Sequence, residues 1–412
     1  MKKEILAIYG GTFSPPHIGH VRAAEALSAA LSPDRFMIIV DNLPPHKEID
    51  GGASAEQRLA MANLAFGHIP NVTVSDMEIR RGGRSYTAET LTYLSAENRE
   101  LYFLCGTDMF LSLPTWRDPA TIFEKAVICL VRREQDEALT EEIQKVAMQY
   151  EKDFGARIRM IDARITEISS SELRKNLCVA PWRAKKMLSA PVFDYIQKEG
   201  LWSTSDKDVL LSSLREDVRS FMSEKRYRHT LGVERMVHRI SSYFSEECDT
   251  FALRAAALLH DITKELTEAE QRKVISEMRM ELSDSQKASP AILHSFTAQD
   301  RIEKEFYTFS KNEAIISAIR AHTTGSANMT LFDKILFVAD YIEEGREYPR
   351  CIATREKFFS MLKDSLSPRI ALDRIMLLIL ESTIRFLEER GYALCEDTLI
   401  ARDHILSSIS LD

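Results

Sequence analysis

Two histidines lie three residues apart just after the first apolar run of the chain. Residues 10–20 read GGTFSPPHIGH, so His17 and His20 share one face at the start of a predicted helix. Gly10 and Gly11 permit a tight turn and let backbone N–H groups approach a ligand closely. Helix N-termini attract phosphate, and imidazoles placed there can donate hydrogen bonds to phosphate oxygens as their charge grows during displacement. The stretch therefore predicts a phosphate site, and simple capping of the helix is the alternative.

A second set of ligating side chains is spread through the later part of the chain. It consists of His229, His260, Asp261, His294, His322 and Asp340. Each lies beside apolar residues, on what is predicted to be an inward helix face. A carboxylate next to a histidine can bridge two cations, and nitrogen and oxygen ligands without thiolate favour Fe, Mn, Mg or Zn. Two such metals would polarise a phosphoryl group and generate hydroxide, so the set predicts a two-metal site with that chemistry.

The alternative for each of these histidines is an ordinary structural or surface position. His238 illustrates it, because it follows His229 by nine residues and should face the opposite side of the helix. His46, His68 and His404 have no partners in the pattern, and we leave them out of the predicted metal site.

The predicted secondary structure that must position these residues changes near residue 203, from alternating strands and helices to helices alone. Before it, short apolar runs alternate with helical stretches such as HVRAAEALSAALS, which predicts a parallel sheet with crossover helices. The predicted strands cover 4–10, 35–42, 71–76, 100–106, 125–132 and 156–162. After residue 208 no strand is predicted, and the remainder is a succession of amphipathic segments. We predict an α/β domain over 1–202, a linker over 203–207 and an all-α domain over 208–412.

Composition narrows the class of protein further. The chain has 412 residues, 45% of them hydrophobic and 28% charged, as in soluble globular proteins. No apolar run is long enough to span a bilayer, and the N-terminus is typical of a first strand rather than a signal peptide. Six scattered cysteines without a CxxC pair fit a reducing cytoplasm. A net charge of −8 argues against nucleic acid as the main partner.

The first 202 residues resemble the bacterial nicotinate-nucleotide adenylyltransferases of the HxGH nucleotidylyltransferase superfamily. After GGTF-x-PPH-x-GH, further motifs follow in the family's order. They are NLPPHK (42–47), RGGRSYTAETL (81–91), LYFLCGTDMFLSLPTWRD (101–118), ISSSELRK (168–175) and APVFDYIQKEGLW (190–202). The resemblance implies a Rossmann-like fold and direct displacement at ATP. The phosphate of nicotinate mononucleotide attacks the α-phosphorus, pyrophosphate leaves, and Mg²⁺ assists.

The resemblance also implies roles for individual residues. In this family the SYT backbone meets the pyridine carboxylate, the Asp of the G-x-D segment lies near the adenosine, and the Trp stacks on the pyridine ring. The matching catalytic residues are His17, His20, Lys47 and Arg174. The matching ATP- and substrate-binding residues are Gly10, Gly11, Thr12, Phe13, His46, Tyr86, Thr87, Gly106, Asp108, Trp116, Ser169, Ser170 and Ser171.

Residue chemistry supports some of these assignments independently. The three serines 169–171 are good N-cap residues, and Arg174 lies about one turn into the next helix, which together would make a second phosphate cradle. A plain helix cap is the alternative. Trp116 could instead be a core residue, and Lys47 a solvated loop residue.

Ser14 departs from the family pattern, which usually has Asp at this position. Serine keeps the ability to hydrogen-bond its own turn but removes a negative charge from a phosphate site. We therefore expect the loop to keep its form, with an effect on metal placement and rate left open.

Residues 208–412 resemble the HD superfamily of metal phosphohydrolases. RYRHTLGVERM, ALLHDITKE, ILHSFTAQ and IRAHTTGSANMTLFDKILFVADYIEEGR look like the symmetrical diadenosine-tetraphosphate hydrolases of bacteria. That resemblance implies a dinuclear centre, with iron first and manganese, cobalt, zinc or magnesium as alternatives, and two ADP as products. Lys264 would meet a substrate phosphate. Arg346 would contact polyphosphate or simply end a helix.

The resulting prediction is a bifunctional enzyme whose partners are ATP, nicotinate mononucleotide and dinucleoside polyphosphates. A homo-oligomer is left open. Two alternatives for the later domain are hydrolysis of another nucleotide and a nucleotide-sensing module without catalysis.

Overall fold

The computed structural model describes residues 3–44, 52–132, 137–163, 165, 168–244, 246–363 and 367–409. The chain forms two compact units, Met1–Thr204 and Ser205–Asp412.

The first unit is built on one six-stranded, wholly parallel sheet. Its strands are β1 (Glu4–Gly11), β2 (Arg35–Val40), β3 (Val72–Ser75), β4 (Arg99–Cys105), β5 (Ala126–Arg132) and β6 (Arg157–Asp162). Each lies within two residues of a predicted strand at both ends, so the predicted parallel sheet is confirmed.

The strand order is β3-β2-β1-β4-β5-β6, so the direction of winding reverses between β1 and β4. In open α/β sheets, ligands bind in the crevice beyond the carboxyl ends of the strands at such a reversal. The GGTF loop leaves β1 at this edge, and Gly106 follows β4 there. The topology therefore brings two of the sequence motifs to the expected crevice.

In the described part of the first unit, ten helices accompany the sheet. They are α1 (Ile18–Leu31), α2 (Ala55–Phe66), α3 (Met77–Arg81), α4 (Thr87–Leu94), α5 (Thr107–Ser112), α6 (Pro119–Lys125), α7 (Glu137–Phe154), α8 (Ser170–Val179), α9 (Pro181–Lys185) and α10 (Ala190–Glu199). Both faces of the central strand β1 are covered, since Leu6, Ala7 and Ile8 are almost fully buried.

The second unit is helical throughout its described residues, as predicted. Its helices are α11 (Lys207–Val218), α12 (Glu224–Ser241), α13 (Thr250–Leu259), α14 (Glu268–Glu277), α15 (Asp284–Lys287), α16 (Leu293–Glu305), α17 (Tyr307–Ser310), α18 (Glu313–Ala321), α19 (Leu331–Ile342), α20 (Pro349–Lys363), α21 (Pro368–Arg390) and α22 (Glu396–Ile409). Helices α12, α13, α18 and α19 pack against one another, and α16 packs on α18. These five helices carry or immediately precede all six predicted metal ligands.

Within the described residues, no helix combines the length and apolarity needed to cross a membrane.

Candidate active site and candidate metal centre

His17 and His20 cap the first helix reciprocally. His17 is the N-cap of α1, and its Nδ1 accepts a hydrogen bond from the backbone N–H of His20 at 3.3 Å. The backbone N–H of His17 in turn donates to Nδ1 of His20 at 3.2 Å. The two rings stack with centroids 3.5 Å apart. The arrangement is a capping box in which imidazoles replace the usual hydroxyl and carboxylate.

This capping also determines which nitrogen of each ring carries the proton. A nitrogen that accepts a hydrogen bond carries no proton, so the proton of each neutral imidazole lies on Nε2. His17 and His20 line a pocket together with Tyr9, Gly106 and Ile168. Capping and phosphate binding are therefore compatible, because they use opposite edges of the same rings.

Arg174 reaches the loop that precedes α1. Its guanidinium donates to the carbonyl of Ser14 at 3.0 Å and to Oγ of Ser171 at 3.2 Å. Ser169 is the N-cap of α8, and its Oγ accepts from the backbone N–H of Glu172. The starts of α1 and α8, which sequence reasoning assigned to two phosphate cradles, thus lie beside the same loop.

A buried arginine that the sequence analysis missed holds the GGTF loop in place. Arg58 is only 1% exposed and donates to the carbonyl of Thr12 at 3.0 Å and to the Asp41 carboxylate at 2.8 Å. The Thr12 hydroxyl donates to that same carboxylate at 2.7 Å. Phe13 is buried and packs edge-on against the His20 ring, with centroids 5.4 Å apart. Thr12 and Phe13, predicted to bind substrate, therefore shape the loop and support His20.

The SYT segment lies beside the end of β2 and beside an arginine. Oγ of Ser85 accepts from the backbone N–H of Asn42 at 3.0 Å. Tyr86 is the N-cap of α4, Thr87 begins that helix, and the Arg117 guanidinium lies 4.3 Å from the centre of the Tyr86 ring. Arg117 also pairs with Glu89 in the first turn of α4, at 3.5 Å, so the backbone N–H groups at the helix start are what favour a carboxylate ligand.

Trp116, the residue before Arg117, is half-buried against the core and donates from Nε1 to Oγ of Ser112 at 3.2 Å. Asp108 is exposed in the first turn of α5. His46 and Lys47 lie outside the described residues. Among the described residues of the first unit, no group of three His, Cys, Asp or Glu side chains lies close enough together to hold a metal ion.

All six predicted metal ligands of the second unit converge. Oδ2 of Asp261 lies 3.4 Å from Nε2 of His260 and 3.8 Å from Nε2 of His229. Oδ1 of the same carboxylate lies 3.3 Å from Nε2 of His294 and 3.6 Å from Nε2 of His322. Asp261 therefore presents one oxygen to each pair of histidines, the geometry of a bridging carboxylate.

Asp340 completes one side of the cluster. Its Oδ1 lies 2.9 Å from Nε2 of His229 and 3.9 Å from Nε2 of His260. His260 and His322 were predicted on helix faces but lie immediately after the last residues of α13 and α18. There each ring donates from Nδ1 to a carbonyl three residues earlier, at 2.7 and 2.6 Å. The helix ends therefore fix the tautomer that leaves the Nε2 lone pair for a metal.

The donor set fits a metal centre on two further observations. Nε2 of His260 is buried and makes no hydrogen bond with any described residue, although Oδ2 of Asp261 lies 3.4 Å away; Nε2 of His229 faces Oδ1 of Asp340 at 2.9 Å. Burial lowers the pKa of His294 to about 3, so this ring is neutral and able to coordinate. Burial alone would also lower the pKa of His229, but the Asp340 and Glu343 carboxylates raise it to about 9. Metal binding would then displace a proton from His229.

Three cations surround the cluster. Arg226 donates to Oδ2 of Asp261 at 2.6 Å, and Arg346 donates to Oδ1 of Asp340 at 2.7 Å. Lys264 Nζ lies 3.2 Å from both ring nitrogens of His294. Burial alone would raise the pKa of Asp340, but Arg346 and the neighbouring histidines hold it well below its usual range.

Sequence reasoning did not assign Arg226, nor Glu343, whose Oε1 lies 3.1 Å from Nδ1 of His229. His238 is exposed on α12, and both His68 and His404 are exposed as well.

Comparison with known families and proteins divides the chain in the same way. Residues 8–176 match the cytidylyltransferase-like family, and residues 226–345 match the HD domain family. A relative from Trichlorobacter lovleyi, named "Probable nicotinate-nucleotide adenylyltransferase", is 34% identical over 48% of this chain and 98% of its own length. One of the same name from Desulfatibacillum aliphaticivorans is 44% identical over 31% of this chain and 59% of its own length.

Among solved structures, a predicted HD superfamily hydrolase involved in NAD metabolism from Clostridium acetobutylicum is 28% identical. The match covers 48% of this chain and 97% of that one, with a TM-score of 0.42.

Proposed function

Because the first unit of this chain belongs to the nicotinate-nucleotide adenylyltransferase family, we propose that it transfers AMP from ATP to nicotinate mononucleotide. The products are deamido-NAD and pyrophosphate. The observation that carries the proposal is the stacked pair His17 and His20, with Arg174 bound to the same loop.

The chemistry needs positioning and charge stabilisation rather than a protein nucleophile. The phosphate of nicotinate mononucleotide forms a bond to the α-phosphorus of ATP, and the bond to the pyrophosphate oxygen breaks. Nε2–H groups of His17 and His20, and the guanidinium of Arg174, would neutralise the charge that grows on the phosphate oxygens. Arg58 and Asp41 hold the loop that presents the two rings. Reactant alignment supplies the rest of the acceleration.

The first prediction concerns the choice of pyridine. We expect kcat/KM for nicotinate mononucleotide to exceed that for the nicotinamide form about 10- to 100-fold, because a charged hydrogen bond contributes about 1.5–3 kcal/mol. The backbone N–H groups at the start of α4, at Thr87, favour a carboxylate over a neutral amide. Steady-state assays of deamido-NAD and NAD formation at saturating Mg²⁺–ATP measure the ratio.

Trp116→Ala is the matched variant. Ring stacking does not distinguish acid from amide, so it should weaken both substrates and leave their ratio unchanged. Equal kcat/KM values for the two substrates in the wild-type chain would contradict the proposal.

For the second unit, which matches the HD domain family, we propose symmetrical hydrolysis of diadenosine tetraphosphate to two ADP. The position of Asp261 between two histidine pairs supports a two-metal hydrolase, and the motifs that resemble the symmetrical diadenosine-tetraphosphate hydrolases favour this substrate. His229, His260 and Asp340 would hold one metal on the Oδ2 side, and His294 and His322 the other on the Oδ1 side. When bound, two such cations polarise a phosphoryl oxygen and lower the pKa of water.

The chain's own residues would bind and orient the polyphosphate. Arg226, Arg346 and Lys264 place three positive groups around the cluster, each within 3.2 Å of a predicted ligand. Arg226 and Arg346, which here donate to Asp261 and Asp340, would be able to turn toward the phosphates of a bound nucleotide when those carboxylates hold metal.

The second prediction concerns the products. With Fe²⁺, Mn²⁺, Co²⁺ or Mg²⁺ supplied, diadenosine tetraphosphate should give ADP as the only nucleotide at an early time point. Chromatography separates the outcomes, because AMP and ATP in equal amounts would mean asymmetric cleavage. Turnover of other nucleotides in place of this one would favour a different phosphohydrolase, and absence of turnover with every metal would favour the sensing module.

A further inference from the structure

Glu343 is a buried carboxylate that lies behind the metal cluster and whose side chain is 2% exposed. It follows the last residue of α19, and its Oε1 lies 3.1 Å from Nδ1 of His229. Its Oε2 accepts the backbone N–H of Gly345 at 2.6 Å. The Arg355 guanidinium donates to the Glu343 backbone carbonyl. Hydrogen bonds therefore fix the position of both the side chain and the backbone of Glu343.

The space for this carboxylate exists because residue 232 is glycine. Gly232 lies in the interior of α12, one turn after His229. A Cβ atom at position 232 would lie 2.2 Å from Oε2 of Glu343, a distance that no packed structure tolerates. Glycine costs about 1 kcal/mol relative to alanine inside a helix, so packing of the Glu343 side chain accounts for its presence here.

We infer that Glu343 is a positioning residue that holds the ring of His229 through Nδ1, aiming Nε2 at one of the two metal positions, and that Gly232 provides the room for it. The inference rests on the metal centre proposed above. A carboxylate behind a ligating histidine fixes the orientation of the ring and raises its basicity, and its loss typically costs about 10- to 100-fold in metal affinity.

The test is titration of the metal-free 412-residue chain with Mn²⁺, with free ion measured by electron paramagnetic resonance. Wild type should bind two ions per chain. Glu343→Gln should weaken one ion about 10- to 100-fold and leave the other close to wild type. Gly232→Ala should have the same effect without removing any functional group, because it displaces Glu343. The double variant should be no weaker than the weaker single one, since both act through one contact.

Glu344→Gln is the matched control. Glu344 is the next residue, its side chain is 63% exposed, and it pairs only loosely with Arg239 at 3.6 Å. This variant should bind both ions as wild type does. Adenylyl transfer by the first unit, together with thermal unfolding of the metal-free chains, checks that every variant is folded.

The possible outcomes distinguish failure of the positioning role of Glu343 from failure of the proposed metal centre. If wild type binds no Mn²⁺, the metal centre itself is wrong. If wild type binds two ions and Glu343→Gln also binds both tightly, the centre stands and the positioning role is wrong. Equal weakening of both ions would likewise overturn it, because a general structural defect would not select the His229 side.

Discussion

Replacing Asp261 with alanine is expected to remove bound metal and to abolish hydrolysis of diadenosine tetraphosphate, while adenylyl transfer in the same chain stays close to normal. Its two oxygens face different histidine pairs, so no other ligand can replace it. Loss of a residue that only hydrogen-bonds to a metal ligand lowers metal affinity by up to about 100-fold. Loss of a ligand shared by both metals should lower the affinity by more than that.

The measurement is metal content per chain alongside both activities. Asp261 is buried and also accepts a hydrogen bond from Arg226, so alanine leaves that cation without its partner. Asp261→Asn is therefore the companion variant, because it preserves volume but cannot bridge two cations as a carboxylate. Two tightly bound metals in a folded Asp261→Asn chain would contradict the bridging role. Loss of adenylyl transfer in both variants would contradict the independence of the two units.

Replacing His20 with alanine is expected to lower adenylyl transfer about 10²- to 10³-fold, the usual effect of removing one donor to a developing anion. The change also removes the acceptor for the backbone N–H of His17. That loss costs about 1 kcal/mol, which is small beside the stability of about 5–15 kcal/mol of an ordinary domain. The rate, rather than the fold, should therefore show the effect.

His20→Gln distinguishes the two roles of the ring. Glutamine at the third helical position is an ordinary partner in a capping box and can accept the N–H of His17. This variant should recover the thermal stability of wild type without recovering its rate. Near-wild-type turnover in a folded His20→Ala chain would contradict the assignment of the active site.

The parallel sheet was predictable because its strands are short, apolar and separated by helical periodicity. The identity of the six ligands was also predictable, because the adjacent His260 and Asp261 and the other spaced histidines can be recognised from the sequence alone. What the sequence could not specify was where helices end. His260 and His322 lie just beyond α13 and α18, where free carbonyls accept their Nδ1–H groups. Helix ends are the least certain part of any pattern of apolar spacing.

The sequence motifs did not reveal residues whose partners lie far away along the chain. Arg58 occupies an inward position of α2 where the spacing with Met61 and Ala62 calls for an apolar residue, which is a weak signal of a buried ion pair. Glycine at position 232, inside a helix and one turn from a predicted ligand, is a similar signal of close approach. Neither signal identifies the partner residue. Asp41 lies beside Arg58, and Glu343 beside Gly232, only when the chain folds.

The reciprocal histidine cap has a consequence for how this unit can evolve. One pair of rings both begins α1 and would face the phosphates, so selection for folding and selection for chemistry act on the same two positions. In a lineage released from the reaction, side-chain acceptors at positions 17 and 20 would still favour folding by about 1 kcal/mol each, and the commonest such pair is Ser or Thr followed by Glu or Gln. Loss of the active site should therefore leave a bias toward these residues at the two positions.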